Sequence, residues 1–500
     1  MARRTHLPRI CIALGFPDVE TLLQHARREV ESGETFLEFR LDYLAQPMDG
    51  VRAIRAFLDA NPECSLLATC RRHQNHGRFN GSIEEQMRIL DAAIDSGATA
   101  VDLEIESAEG AHVEHLRGKA MLILSFHNFG GTPPVEPILR RMTRIPADAY
   151  KVVTMAKKPS DNLRVLQLAR SNPKIPLVML AMSEVGWATR ILSPAFGGVY
   201  TYAAPNAAEG TAPGQIPARQ LRNLYRVERF TRSARIYGVI ADPVSHSISP
   251  AVHNRAFQHK RIDAVYLPFL VKASQLKDLF SLGDKLPLSG FSVTIPHKQK
   301  VLRYLDHVER QAMRIGAVNT VIRKTGKWRG INTDVDGILT PLKKRINLAK
   351  SSVLVVGNGG AARGAAFSLV DSGAKVSIVG RNADRVRALC KVCNATPLLR
   401  EQVDSMYFDA LVHCTPLGLE TKYPKECFFR DSIPADVIFD TVYNPLETVL
   451  IQRAREQGCE IIQGLEMFVE QAVKQFEVWT GENAPRAVMD KAAREALGCR

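Results

Sequence analysis

The run Ser351-S-V-L-V-V-G-N-G-G-A-A-R-Gly364 constrains this chain more than any other stretch of it. The apolar residues Val353 to Val356 lead straight into Gly357, Gly359 and Gly360, and the helix-forming run Ala361–Leu369 follows. Strand, glycine turn and helix, in that order, aim backbone N–H groups and a helix N-terminus at a pyrophosphate, with glycine wherever a side chain would hold the ligand away. A second parallel strand is expected at Val376–Val379, about 20 residues on, where an NAD site carries Asp or Glu. Here that place is taken by Gly380 and Arg381, with Arg385 beyond. Positive charge at this point suits a 2′-phosphate. The spacing therefore points to NADP, held by Gly357, Gly359, Gly360, Ala361, Arg381 and Arg385.

A dinucleotide site accounts for only part of the chain. At 500 residues the sequence exceeds what one core can serve, and roughly two to four domains are expected. No apolar run is long enough to span a membrane. An apparent strand opening at Ile10 leaves little room for a targeting segment in the basic start Met1–Arg9. The nine cysteines, read as having no C-x-x-C pairing and no close metal-ligand spacing, suggest reduced, mostly buried thiols, and a cytoplasmic location is expected. The net charge of +14 is spread along the chain, with no nucleic-acid motif and no basic stripe, so an attraction for anionic substrates and NADP phosphates explains it better than nucleic acid does. No metal site and no membrane partner are expected.

Residues 10–230 alternate short apolar strands with amphipathic helices. Strands are expected at Ile10–Leu14, Phe36–Leu41, Leu66–Cys70, Thr99–Ile105, Met121–Ser125, Tyr150–Met155, Leu177–Ala181 and Val199–Ala203, with helices such as Glu84–Ser96, Val135–Met142 and Asp161–Ser171 between them. Eight such units predict an α/β fold, a (β/α)8 barrel, with its chemistry at the C-terminal ends of the strands. Polar residues gather at those ends. They include Glu38 and Arg40, Arg71, Asp102 and Glu104, His127 in Ser125-F-H-Asn128, Lys151, Arg190, and Thr211 and Gln215 after the last strand.

Lys151 is the sharpest local signal, because a lysine inside an apolar strand must either reach solvent or point into a polar cavity. In a cavity, burial and neighbouring cations make it a Schiff-base nucleophile, and the imine acts as an electron sink for removing a proton next to a carbonyl. His127 on the adjacent strand would be the base, oriented by Glu104, with Arg190 and Arg71 holding a carboxylate and hydroxyls. Spacing alone leaves open a solvated lysine and a structural histidine.

The combination resembles type I 3-dehydroquinate dehydratase. The matching pieces are Glu38-F-Arg40, Thr69-C-Arg71, Val101-D-L-Glu104, Ser125-F-H-Asn128, Tyr150-K-V-Val153, Met182-S with Arg190, and Thr211-A-P-G-Gln215, in the family's order. The resemblance implies that Lys151 forms an imine with the C3 ketone of 3-dehydroquinate. His127 would remove the C2 proton and help the C1 hydroxyl leave, Glu104 would position His127, and Arg190 would bind the carboxylate. Glu38, Arg71 and Gln215 would bind hydroxyls, with Arg40 and Thr211 completing the substrate set. Thr211 stands where the family often has serine, which preserves the hydroxyl.

A charged linker, Arg226–Arg235, separates this region, bounded at 1–230, from a new strand at Ile236–Ile240. Ser247 and Ser249 then precede Pro250 and a helix. Capping explains them as well as binding of a small carboxylate does. Lys298 follows the alternating strand Gly290-F-S-V-T-I and Pro296, and is either a solvated charge or a donor to an oxygen undergoing redox. Asn319 and Asp334 follow apolar stretches and could share a cleft with it.

These pieces resemble shikimate dehydrogenase, through Pro243-V-S-H-S-I-S-Pro250, Val293-T-I-P-H-Lys298, Gly316-A-V-N-Thr320, Asn332-T-Asp334, the glycine loop, His413-C-T-P-L-Gly418, Asp440-T-V-Y-N-Pro445 and Gly464-L-E-M-F-V-E-Q-Ala472. The resemblance implies a catalytic pair of Lys298 and Asp334. It assigns Ser247, Ser249, Asn319, Thr320, Tyr443 and Gln471 to shikimate or 3-dehydroshikimate, and Thr415 and Met467 to the border of the nicotinamide. The family's Asn-Arg-Thr is here Gly380-R-Asn382, which keeps NADP favoured through Arg381 but weakens the case against use of NAD. The expected organisation is a substrate-binding α/β domain at 236–340 plus 464–500 and a Rossmann domain at 345–463. The two resemblances together imply a bifunctional enzyme that dehydrates 3-dehydroquinate and then reduces 3-dehydroshikimate with NADPH. Alternatives are a chain with one active half, or action of the second half on quinate with NAD. Oligomeric state and channelling stay open.

Overall fold

The structure, a computed structural model, describes residues 7–420, 422–429 and 432–498. The chain divides into two compact units, with the change at Ala234/Arg235 and the three residues Phe269–Val271 grouped with the first.

The first unit is built on nine strands. These are β1 (Ile10–Leu14), β2 (Phe36–Arg40), β3 (Ser65–Thr69), β4 (Ala100–Glu104), β5 (Met121–His127), β6 (Ala149–Met155), β7 (Leu177–Met182), β8 (Thr201–Ala204) and the two-residue β9 (Ile216–Pro217). They form one sheet in the order β7-β6-β5-β4-β3-β2-β1-β8-β9, with every pairing parallel. A parallel bridge between Leu177 and Gly198 joins β7 to the segment entering β8 and so brings the ends of the sheet together. Parallel neighbours need crossover helices, and these supply the amphipathic runs of the sequence.

The two-residue alternation of the strands decides what fills the interior. Phe36, Ala100, Ile123 and Ala149 pack together with Cys11, Ala13 and Leu67 in one buried cluster. Two residues further along the same strands stand Glu38, Asp102, Ser125 and Lys151, all buried. The inward face is thus apolar at one end of the barrel and polar at the C-terminal end. After β8 the first unit adds one short strand before its last helix. Ile216 and Pro217 pair with Ala203 and Ala204, and the helix Gln220–Tyr225 that follows is wound as a π-helix.

The second unit holds two sheets. The first contains β10 (Arg235–Ala241), β11 (Ala264–Leu270), β12 (Leu288–Val293), β13 (His307–Val308), β14 (Thr320–Lys324) and β15 (Lys327–Ile331), in the mixed order β11-β10-β12-β14-β15-β13. The second contains β16 (Ser352–Val356), β17 (Lys375–Val379), β18 (Thr396–Pro397), β19 (Phe408–His413), β20 (Ala435–Asp440) and β21 (Glu460–Ile462). Its order, β18-β17-β16-β19-β20-β21, is all parallel. This is the doubly wound arrangement, whose crevice opens where the chain reverses direction, between the C-terminal ends of β16 and β19. The helix Gly464–Thr480 returns to the first of these sheets, where its Trp479 donates to the Val321 carbonyl of β14 at 3.0 Å. Among the described residues no helix is long and apolar enough to cross a membrane.

Candidate active sites

At the polar end of the barrel Lys151 is almost fully buried, at 3% exposure. Its Nζ donates to Asp102 Oδ2 at 2.9 Å and to the Tyr202 hydroxyl oxygen at 2.8 Å. Tyr202 in turn donates to Glu38 Oε1 at 3.3 Å, and Thr69 donates to the same oxygen at 2.7 Å. Asp102 also accepts from Ser125 at 2.7 Å and from Arg71 at 3.1 Å. Burial alone would raise the Asp102 carboxyl, but Lys151 and Arg71 outweigh it and hold the group well below the usual carboxylate range.

The strand register Ser125↔Lys151 and His127↔Val153 puts His127 on the strand next to Lys151 and one step nearer the barrel mouth. Burial, then the nearby Arg71 and Lys151 charges, drive its pKa well below the ordinary histidine value. His127 is therefore a neutral imidazole, and its Nδ1 has no hydrogen-bond partner among the described residues. Arg190, on the short helix Trp187–Leu192, is 1% exposed, donates to the Pro213 carbonyl at 3.1 Å, and leaves Nε unpartnered. Burial, with no carboxylate beside it among the described residues, lowers its pKa to about 10. A buried guanidinium without a counter-ion is costly, and it is a site prepared for an anionic ligand.

One cavity is lined by Glu38, Arg40, Arg71, His127, Lys151, Arg190, Tyr202, Thr211 and Gln215, among others. Arg40 is already satisfied, with its Nε and Nη2 on the two Asp42 oxygens at 2.9 and 2.8 Å. Gln215 Oε1 accepts from the Thr211 backbone N–H at 2.7 Å and so shapes the loop that lines the cavity.

In the second unit Lys298 Nζ donates to Asp334 Oδ2 at 2.6 Å. Asp334 opens the helix Asp334–Lys343, where the N-terminal dipole favours its negative charge. Asn319 donates to Asp334 Oδ1 at 2.8 Å and, more weakly, to Gln471 Oε1 at 3.4 Å. Thr320 donates to Asn319 Oδ1 at 2.8 Å and accepts from Gln475 Nε2 at 2.9 Å. Ser292 donates to Gln475 Oε1 at 2.8 Å and accepts from Tyr266 at 2.6 Å. These linked hydrogen bonds rigidify the surroundings of the lysine.

The glycine loop lies beside the same pair. A Cβ on Gly360 would meet Lys298 Cδ at 3.6 Å. Gly357 has φ +127°, and a Cβ there would sit 3.0 Å from the Cys414 carbonyl oxygen. Only glycine serves at that turn. A Cβ on Gly359 would meet nothing within 4 Å, so open space lies over the N-terminus of the helix Gly360–Asp371, which has no side-chain cap. Unsatisfied first-turn N–H groups facing open space fit a pyrophosphate. Arg381 and Arg385 are both exposed, and neither is in an ion pair among the described residues, so both charges are available to a 2′-phosphate.

Residues 10–230 match the family Type I 3-dehydroquinase. Residues 239–321 match the shikimate dehydrogenase substrate-binding domain, 341–415 match shikimate/quinate 5-dehydrogenase, and 464–494 match the shikimate 5-dehydrogenase C-terminal domain. The bifunctional 3-dehydroquinate dehydratase/shikimate dehydrogenase of Arabidopsis thaliana, described as chloroplastic, is 31% identical over 504 residues, covering 95% of this chain and 83% of its own length. The chain belongs to the bifunctional dehydroquinate dehydratase/shikimate dehydrogenase family. A NADP(+)-dependent shikimate dehydrogenase of Bacillus anthracis is 38% identical, across 49% of this chain and 93% of its own. A shikimate dehydrogenase solved in complex with NADP+ superposes with a TM-score of 0.50 at 31% identity, covering 54% of this chain and 97% of that one.

Not every residue expected in the dehydratase and dehydrogenase sites stands where the sequence suggested. Glu104 was expected to orient His127, but its hydrogen bonds go to Gln86 Nε2 at 2.7 Å and the Arg72 backbone N–H at 3.0 Å. Burial pushes its carboxyl above the ordinary range against the pull of Arg71. Asp102 and Tyr202 are the direct partners of Lys151. Asp102 was visible as an inward polar position, whereas Tyr202 read as one more apolar strand residue. Ser249 does not cap its helix. The helix begins at Ser249 itself, with Ile248 before it and no side-chain cap bond, and Ser247 Oγ accepts from the Ser249 backbone N–H at 3.3 Å. Tyr443 packs against Phe468, ring centroids 5.0 Å apart, and Met467 is buried in the core cluster beneath the glycine loop.

Two further features had no place in the sequence reading. Thr415 is bonded to a buried His413–Asp440 pair. Cys390 and Cys393 do stand at C-x-x-C spacing, on the helix Ala383–Cys393, but both are buried in the apolar cluster. Burial pushes both thiols up, Cys390 to about 11, so neither offers a thiolate.

Proposed function

We propose that the barrel dehydrates 3-dehydroquinate through an imine on Lys151, and that the second unit reduces the product, 3-dehydroshikimate, to shikimate with NADPH. The observation that carries this is the environment of Lys151, a buried amine between Asp102 and Tyr202, beside a neutral imidazole and facing a guanidinium with no counter-ion. Arg190 holds the substrate carboxylate and so fixes the ring over Lys151. The amine adds to the C3 ketone, water leaves, and the iminium draws electrons from the neighbouring carbon. His127, neutral and with a free Nδ1, takes the C2 proton. It returns that proton to the departing C1 hydroxyl, which leaves as water. Hydrolysis of the imine then frees Lys151. Asp102 stays ionised throughout and stabilises the cationic nitrogen.

In the second unit Gly357, Gly359 and the N-terminus of Gly360–Asp371 hold the cofactor pyrophosphate, with Arg381 and Arg385 on the 2′-phosphate. Bound NADPH supplies a hydride. Lys298 gives the proton to the carbonyl oxygen that becomes the new hydroxyl, and Asp334 orients the lysine and balances its charge. Asn319 holds Asp334 from the other side, while Ser247, Ser249, Thr320, Tyr443 and Gln471 surround the substrate's hydroxyls and carboxylate.

Borohydride added with 3-dehydroquinate should attach substrate mass covalently to the wild type and to Lys298→Ala, but not to Lys151→Ala. Lys298→Ala should lose about 10²–10⁴-fold in shikimate oxidation, the range of a general acid–base group, with dehydration unchanged. Trapped mass on the Lys151→Ala chain would overturn the imine assignment. An equal loss of both activities in either variant would overturn the division of labour.

A further inference from the structure

The crevice at the end of β19 contains a hydrogen-bonded chain that the reaction above does not use. The Thr415 hydroxyl lies 2.5 Å from His413 Nε2, and His413 Nδ1 lies 2.9 Å from Asp440 Oδ1. His413 is 1% exposed and Asp440 is fully buried. Asp440 has two further donors, the Val442 backbone N–H at 3.1 Å on Oδ1 and the Thr448 hydroxyl at 2.6 Å on Oδ2. Threonine, histidine and aspartate in this order have the connectivity of a nucleophile–base–carboxylate triad. The position argues for another use. Thr415 already accepts the Leu417 backbone N–H at 3.3 Å. Its methyl lies 3.4 Å from where a Cβ on Gly357 would stand. The adjoining Cys414 is close enough to feel the charges of Asp334 and Lys298. Thr415 is thus at the meeting point of the glycine turn and the proton-transfer pair, where the sheet's crevice opens.

We propose that His413 and Asp440 are positioning residues that fix the direction of the Thr415 hydroxyl, making Thr415 an obligatory acceptor for the amide N–H of the cofactor's nicotinamide carboxamide. This rests on the reading of the crevice as the NADP site. A carboxylate at Nδ1 demands a donor there, so His413 carries its proton on Nδ1. Asp440, with three donors, is satisfied without an imidazolium, and a second buried charge would be costly. His413 Nε2 is then an acceptor, and Thr415 spends its one proton on it. With Leu417 N–H on one lone pair, the remaining lone pair can only accept. The relay therefore selects a ligand group that donates, and a carboxamide has an N–H where a ketone or a carboxylate has none.

The test compares dissociation constants, by calorimetry, for NADP+ and its 3-acetylpyridine analogue, which keeps the carbonyl and replaces the amide nitrogen with a methyl. Wild-type enzyme should bind the analogue about tenfold more weakly, the worth of one net hydrogen bond. His413→Asn places an amide near the Nδ1 position but cannot reach Thr415, so the preference should fall to about one. Thr415→Val should abolish it likewise, with shikimate affinity reporting that both variants are folded. Independently, wild-type protein labelled with ¹⁵N-histidine, assigned with His413→Asn, should show a neutral Nδ1–H tautomer. A doubly protonated ring, or an analogue bound as tightly as NADP+ by the wild type, would overturn the relay while leaving the cofactor site standing. Failure of NADP+ itself to bind would instead overturn the site.

Discussion

Arg190 shows most plainly how a single residue can be set for binding at the expense of the fold. Its guanidinium is buried in the barrel with one carbonyl partner and no acid beside it. Replacing even a buried ion pair with apolar side chains of similar volume is often neutral or stabilising by about 1–4 kcal/mol, and a charge without a counter-ion has no Coulombic gain to lose. Arg190→Met should therefore raise the urea midpoint of the barrel while raising KM for 3-dehydroquinate by at least about 30-fold, since a charge-assisted pair with a substrate carboxylate is worth roughly 2–5 kcal/mol. A variant both less stable and unchanged in KM would show the arginine to be structural. Legibility at this scale followed side-chain type. Lys151, His127 and Arg190 stood out because a charge or an imidazole in an apolar strand demands a reason. Tyr202 did not, because an aromatic residue two positions beyond Tyr200 reads as core. The Glu104–His127 pairing was read from their adjacent strands as well as from the resemblance, whereas the carboxylate in contact with Lys151 is the one two residues earlier, on the same inward face.

The helices of the second unit carry an acid sensitivity that follows from packing. His253, on the helix Ser249–His259, lies stacked on Tyr266, ring centroids 4.6 Å apart, and 5.0 Å from Trp479 of the helix Gly464–Thr480. Burial drives its pKa from 6.5 to about 3, against a weak opposing pull from Gln475. Between those values the unfolded chain binds a proton that the folded chain refuses. Stability therefore falls as the pH drops from about 6.5 towards 3, by up to about 1.4 kcal/mol per pH unit. His253→Phe should flatten that part of the pH–stability curve in denaturant titrations, and an unaltered slope would assign the acid sensitivity elsewhere. Element positions themselves were mostly readable from period and punctuation. Val135–Met142 is the helix expected, and β1 has the bounds expected. Other bounds follow packing. The helix from Gly464 runs to Thr480 because Trp479 continues its buried stripe. Ile216 and Pro217 extend the barrel sheet because β8 still has an open edge at Ala203 and Ala204.

At the scale of the whole molecule the order of the chain matches the order of the chemistry, since the product of the first reaction is the substrate of the second. Each site nonetheless draws all its side chains from one unit. Glu38, Arg71, His127, Lys151, Arg190 and Gln215 lie before Ala234, and Lys298, Asn319, Asp334, Gln471 and the glycine loop lie after it. Each unit also has buried apolar clusters of its own. Neither site requires the other for a catalytic group, so the two reactions should be separable between molecules. An equimolar mixture of Lys151→Ala and Lys298→Ala chains, given 3-dehydroquinate and NADPH, should therefore make shikimate. NADPH consumption should begin after a lag while 3-dehydroshikimate accumulates in solution. The steady rate should then approach that of the wild type at half the enzyme concentration, once the intermediate exceeds its KM. Wild-type enzyme at the same concentration sets the comparison for the lag. A mixture in which 3-dehydroshikimate accumulates but NADPH is not consumed, although the Lys151→Ala chain still binds NADPH, would mean that the second site does not take its substrate from solution. The fusion would then be a condition of the second reaction and not merely a convenience of supply.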